Sequence, residues 1–248
     1  MSLETNLIIF LIFVTFLGST VKTTAGFGFA LVAVPLLLPF MDLKDIVPII
    51  LPLVLINDYA ITIANKDTLK PRTIFIMAAS AIITIPIGLF ILHNASIIIL
   101  KLSISILILI TALFLISGRT INIKKEKIAS AIAGAFSGIL VSTSGLSGPP
   151  VTLLLINQKW NKIDFRNNLA LYFSIIDSVT IFSFIVTGLI NFNSIMVDIL
   201  LIPSVICGYI LGKVLLKYIN QYTFTKITII IIVFGSVFTI INTITRDI

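Results

Sequence analysis

The 248 residues are 58% hydrophobic and only 11% charged, with a formal net charge of +7 and a mean hydropathy of +1.18. A water-soluble domain carries charge on about a quarter of its residues, so composition excludes an ordinary cytosolic enzyme, a nucleic-acid binder and a disordered chain. One cysteine, Cys207, and one histidine, His93, leave no disulfide framework and no cluster for zinc or haem, and no cofactor is implied. What remains is an all-α integral membrane protein, a single membrane domain over residues 1–248. Its partner is the lipid bilayer, and its Lys and Arg mark cytoplasmic span ends.

Residues 7–17 could pass for the core of a secretory signal, but the only charge before residue 22 is Glu4 and no small-residue cleavage site follows. The stretch therefore belongs to the mature fold. Apolar stretches run at about 7–40, 46–65, 74–92, 97–117, 128–156, 169–190, 195–212 and 226–244. Six have the ~17–25 residues of one transmembrane helix. The first and fifth are too long: as single helices they would measure ~51 and ~44 Å, against a hydrocarbon layer ~30 Å thick.

Both long stretches are interrupted. The first break holds Lys22, Thr23, Thr24, Gly26 and Gly28; the second holds Ser142, Thr143, Ser144, Gly145, Ser147, Gly148, Pro149 and Pro150. Glycine and proline both weaken a helix, and irregular backbone at membrane depth persists only inside protein or along a watery cavity. A shift of 120 residues places Phe16 on Phe136, Gly18 on Gly138, Val21 on Val141, Thr23 on Thr143, Gly28 on Gly148, Asn57 on Asp177 and Gly88 on Gly208. The chain reads as two internal repeats, about 7–120 and 127–245.

Basic residues cluster at 66–73, 118–127, 157–168 and 213–226, which hold 13 of the 17. Single crossings throughout would put 118–127 and 157–168 on opposite sides, against the positive-inside rule. If each long stretch instead returns to its own side, as a re-entrant pair or as two short spans, all four clusters face the cytoplasm and both termini lie outside. The halves then become inverted-topology repeats, each a broken pair followed by three transmembrane helices.

In such a fold the two breaks meet, and helices starting there aim free N–H groups at a shared cavity suited to an anion. Lys22, the Thr and Ser hydroxyls and the glycines then form a binding site. The alternative is that Lys22 snorkels to an interface and the small residues only permit close helix packing. Asp177, mid-helix, with Asn57 and Asp58 near the same layer, is either an ion- or proton-coupling group or a hydrogen-bonded helix contact. Pro35, Pro39, Pro48, Pro52, Pro86 and Pro203 mark kinks or helix starts. Residues 213–222 suit an interfacial segment, Trp160 an interfacial anchor, and His93 a helix end.

The second break with its sequel resembles the signature of the TauE/SafE family of sulfite and organosulfonate transporters, through Gly145, Gly148, Pro149, Pro150 and Arg166. The first break is similar to the family's Gly-rich segment followed by Val-Pro, through Gly26, Gly28, Val34 and Pro35, departing from it at Phe29, where a further glycine is usual. Pro86 with Gly88, and Cys207 with Gly208, extend the likeness over nearly the whole chain. The resemblance implies a secondary transporter that moves a small anion such as sulfite, a sulfonate or a small carboxylate across the cytoplasmic membrane. A coupled proton or cation, and a homo-oligomer, are compatible with it. The rival is a rhomboid-like intramembrane serine protease, because Gly145, Leu146, Ser147 and Gly148 match Gly-x-Ser-Gly. That enzyme needs a base within reach of Ser147, and His93 is the only histidine.

Overall fold

The computed structural model describes residues 5–117, 125–157 and 162–218, together with 230, 233–234, 236–241 and 243–245. The described part is helical: α1 (Thr5–Ala25), α2 (Phe29–Leu37), α3 (Leu43–Ala64), α4 (Pro71–Asn94), α5 (Ile97–Ser117), α6 (Glu126–Ser144), α7 (Gly148–Asn157), α8 (Lys162–Val186) and α9 (Phe192–Tyr218), with a single 3-10 turn at Lys66–Thr68. Among the described residues six helices, α1, α3, α4, α6, α8 and α9, are long and apolar enough to cross a membrane. The outside of the bundle is apolar, with Phe75, Ile83, Phe90, Phe182, Ile185, Ile199 and Ile210 exposed, while Lys22, Asn57, Asp58, Arg166, Asn167 and Asp177 are buried. That distribution suits a lipid solvent, where exposed hydrocarbon costs nothing and polar groups must find partners inside. This is a multi-pass membrane protein.

Each over-long apolar stretch does break, but asymmetrically. A helix of 21 residues, ~31 Å long, is followed by one of nine; in the second half, 19 residues are followed by ten. Of each pair only the first helix is long and apolar enough to cross a membrane. The α1–α2 pair is a hairpin, because the Phe40 ring beyond α2 meets the Phe10 ring near the start of α1 at 5.3 Å. The breaks are also narrower than the sequence suggests. Lys22, Thr23 and Thr24 lie in the last turn of α1, and Ser142, Thr143 and Ser144 in that of α6, so only 26–28 and 145–147 are non-helical. Gly26, Gly28 and Gly145 hold φ of 88°, 104° and 71° there, a left-handed backbone that glycine adopts without steric cost.

Proline leaves a visible mark on α2. Pro39 has no N–H to give the carbonyl of Pro35, and that carbonyl accepts the Thr239 hydroxyl at 2.9 Å instead. Residues 213–218, read from sequence as interfacial, continue α9 without interruption, making it 27 residues long. Trp160 and most of the 118–127 joint fall outside the described residues.

Helices from the two halves pair across the bundle. The long α3 and α8 run antiparallel, since Tyr59 bonds Ser178 (2.9 Å), Thr62 bonds Ser174 (3.4 Å) and Thr68 accepts from Asn167 (2.8 Å). The α1 and α9 helices run parallel: Thr15 bonds Ser204 at 2.6 Å, and Ser19 and Thr24 donate to the carbonyls of Val205 and Gly212. The α4 and α6 helices are also parallel, with the Thr84 hydroxyl on the Ala135 carbonyl at 2.8 Å. Glycines permit this closeness. A Cβ at Gly88 would sit 2.4 Å from the Ile139 carbonyl oxygen, and one at Gly208 would sit 2.5 Å from that of Phe16.

The joints sort into two ends. At one end Lys44 donates to the His93 carbonyl (3.0 Å) and Lys101 pairs with Asp42 (3.6 Å). A cavity of about 140 Å³ there joins Lys44 and Asp45 to Leu189, Asn191 and Ser194. At the other end Lys70 pairs with Asp164, and its backbone N–H donates to Asn168. Lys44, His93, Asn191 and Ser194 thus lie at one end, and Lys70, Asp164 and Asn168 at the other.

Candidate functional site

Both breaks line one small cavity, with Lys22, Phe27, Gly28, Phe29 and Ala30 on one side and Gly145, Leu146, Ser147 and Gly148 on the other, closed by Val54 and Phe173. A Cβ on Gly148 would lie 3.6 Å from that of Phe27, so the two interruptions are in contact. The volume is about 20 Å³, room for about one water.

Lys22 is the charge at the centre. Its ammonium lies 2.9 Å from Asp58 Oδ2, with both side chains buried, and 4.3 Å from the centroid of the Phe173 ring. Asp58 comes from α3, and the neighbouring Asn57 braces that helix on α1: its amide donates to Ser19 Oγ at 2.6 Å, and its carbonyl accepts the Thr23 hydroxyl at 3.2 Å. Asp177 of α8 is fully buried and interacts electrostatically with Asp58 and Lys22, yet neither carboxyl oxygen has a hydrogen-bond partner.

The hydroxyls expected to line the site mostly do not. Thr24 bonds the Thr20 and Gly212 carbonyls, while Ser142, Thr143 and Ser144 bond the carbonyls of Gly138, Ile139 and Leu140. This is the usual back-bonding of Ser and Thr within a helix, and none of these four is among the described lining residues. Gly26 packs on the backbone of Arg166. Pro149 opens α7 beside the cavity and, with Pro150, removes two of the N–H groups that helix could present. The amide donors therefore come mainly from α2, where Gly28 accepts from Val32 and the N–H groups of Phe29, Ala30 and Leu31 have no acceptor within the helix.

Sequence reasoning named two members without finding what they touch. Asp58 was named for coupling but given no partner, while Lys22 was read as a ligand for a bound anion; the carboxylate beside it belongs to Asp58. Arg166 was counted as part of a cytoplasmic basic joint. It is buried and donates from Nε to the Thr23 carbonyl at 2.7 Å, neutralising the carbonyl end of α1 at the break. Its place in the Gly-x-x-Gly-Pro-Pro…Arg signature was the available clue.

A family model described as sulfite exporter TauE/SafE matches residues 11–239, including both breaks, Lys22 and Arg166. The chain belongs to the TauE/SafE family. No curated protein and no solved structure matches it significantly. TauE/SafE proteins are membrane transporters of sulfite and related sulfur anions, not enzymes. The protease alternative finds no support. Ser147 lies in the cavity wall, but the only histidine, His93, is exposed in the last turn of α4.

Proposed function

We propose that this TauE/SafE protein is a secondary transporter that carries a small oxyanion (sulfite, a sulfonate or a small carboxylate) across the cytoplasmic membrane by alternating access. The single observation behind this is the meeting of two helix breaks over one buried ammonium. Lys22 offers charge, the start of α2 offers amide donors, and Gly28, Gly145 and Gly148 let a ligand approach the backbone. A cavity the size of one water is too small for sulfite, so it corresponds to a closed form that must widen. The two halves, taken as inverted repeats, supply the motion by rocking about the site. Support for that symmetry comes from the antiparallel α3 and α8 and the matched pairs α1 with α9 and α6 with α4. Asp58 and Asp177 are the coupling groups for a proton or cation, with Asn57 positioning α3. The end carrying Lys70 and Asp164 faces the cytoplasm and both termini lie outside, as the charge clusters favour.

The test is uptake into proteoliposomes of sulfite, sulfonates and small carboxylates, with and without a pH gradient. Wild type is expected to move at least one of these anions. Lys22→Ala should abolish uptake, Asp58→Asn should lose the response to pH, and Asp177→Asn, which removes a charge that acts on Asp58, should alter that response. Normal transport by both Lys22→Ala and Ser147→Ala overturns the site.

A further inference from the structure

We infer that Asp58 is a tethered competitor for the substrate: it occupies the Lys22 ammonium in the empty carrier and releases it by taking up one proton as the anion binds. The inference rests on the transport reading and deepens it, assigning the proton that accompanies each anion.

The geometry carries the argument. A carboxylate at 2.9 Å already holds the ammonium that would hold an oxyanion, in a pocket closed by Val54 and Phe173. Substrate entering beside an ionised Asp58 would set two anions against one ammonium in a dry core, and desolvation there is not repaid. Substrate leaving without Asp58 returning would strand Lys22. Two states avoid both costs: Lys22 with ionised Asp58, and Lys22 with bound anion and protonated Asp58. For a monovalent anion such as hydrogensulfite or a sulfonate these have the same net charge, so both can reorient across the slab, whereas the mixed states cannot. The proton adds to the Asp58 carboxylate from the side where substrate enters, and leaves with the anion on the other side. The result is one proton with one anion, in the same direction. Phe173 keeps a cation–π hold on the ammonium at 4.3 Å during the exchange.

The groups around Asp58 fit this assignment. Lys22 faces it from α1, and Asp177 from α8 interacts with it electrostatically; the other described charged or titratable groups of α8 are Asp164, paired with Lys70, Arg166, held on the Thr23 carbonyl, and the buried Tyr172. From α9, Tyr209 donates its hydroxyl to the Ala60 carbonyl; Asp198, Cys207, Lys213 and Lys217 are the other titratable or charged groups described there short of the terminal Tyr218. The α2 helix has no titratable residue. Those of α4 and α6 lie near helix ends, at Arg72, His93, Glu126 and Lys127, and Lys101 of α5 pairs with Asp42 at the far end.

The experiment is anion binding to the purified full chain in detergent, by calorimetry in two buffers of different ionisation enthalpy. The probes are sulfite and methanesulfonate, the latter a strong-acid anion whose own charge does not change with pH. Wild type should take up about one proton per methanesulfonate, its affinity falling about tenfold per pH unit on the alkaline side. Asp58→Asn should bind more tightly at alkaline pH, with no proton uptake and a flat pH profile. Binding without proton uptake by wild type overturns the proposal even if the variant does not fold, and so does uptake that persists in Asp58→Asn. If neither anion binds wild type, and none of the transport panel does, the transport reading itself fails, and this inference falls with it.

Discussion

Lys22 and Asp58 show how a membrane protein retains charge where solvation is poorest. Each is tolerable only because the other lies 2.9 Å away, and removing one partner of a buried pair costs about 3–5 kcal/mol. Asp58→Ala should therefore lower the thermal unfolding midpoint sharply in anion-free detergent, whereas the double change Lys22→Met with Asp58→Leu should recover much of the loss. Equal loss in the single and double variants would contradict the pairing. Arg166 gives a second residue-level test. Arg166→Met leaves the Thr23 carbonyl without its charged donor, a change worth about 1.5–3 kcal/mol, and unfolding in detergent reads it. The sequence made Lys22 conspicuous, as a charge inside an apolar stretch, but not its partner. Asn57 and Asp58 are adjacent and both reach α1, Asn57 at Ser19 and Thr23 and Asp58 at Lys22, and nothing local says which of the two takes the lysine. Repeat logic pointed to Asn57, the mate of Asp177. Arg166 was hidden for the opposite reason: three basic residues in the short 157–168 joint read as a solvated cluster, and nothing local shows that one of them turns inward.

Element boundaries were legible where physics is local. The over-long apolar stretches and their glycines located both breaks, and the structure trims each to three non-helical residues. The unequal partners, a full-length helix and a half-length one, were not legible, because length alone does not say where within a stretch the chain turns. Nor was the fate of the hydroxyls in α6, since Ser and Thr can equally face a cavity or bond the carbonyl four residues back. The matches Gly88 and Gly208 turn out to serve helix crossings. A Cβ at either would meet a backbone carbonyl oxygen at 2.4 or 2.5 Å, so Gly88→Ala should separate α4 from α6 and Gly208→Ala should separate α1 from α9. Each should cost about 1–3 kcal/mol as overpacking. Gly188→Ala meets no atom within 4 Å and bears only a left-handed backbone at φ 73°, so it should cost about 1–2 kcal/mol. Thermal midpoints for the three variants check the contrast, and a penalty confined to Gly188→Ala would contradict it.

Over the whole molecule, the same packing that encloses the site fixes its topology. Antiparallel α3 and α8 are joined through Tyr59 and Ser178, and the joint after α3 is rich in basic residues while the one after α8 carries no charge. Single cysteines placed at Asp67 and at Asn193, in a chain with Cys207 replaced by Ser, should react with a membrane-impermeant maleimide from opposite sides of oriented vesicles. Reaction of both from one side would reject the proposed crossing pattern. The central claim is narrower: the two breaks and Lys22 hold a negatively charged guest between them. Selenite, a sulfite analogue with an anomalous scatterer, tests it most directly in crystals of the full chain. The account predicts an anomalous peak within hydrogen-bond distance of Lys22 Nζ, between residues 26–28 and 145–148. A peak elsewhere in the bundle, with Lys22 still closed on Asp58 at full occupancy of the ion, contradicts it.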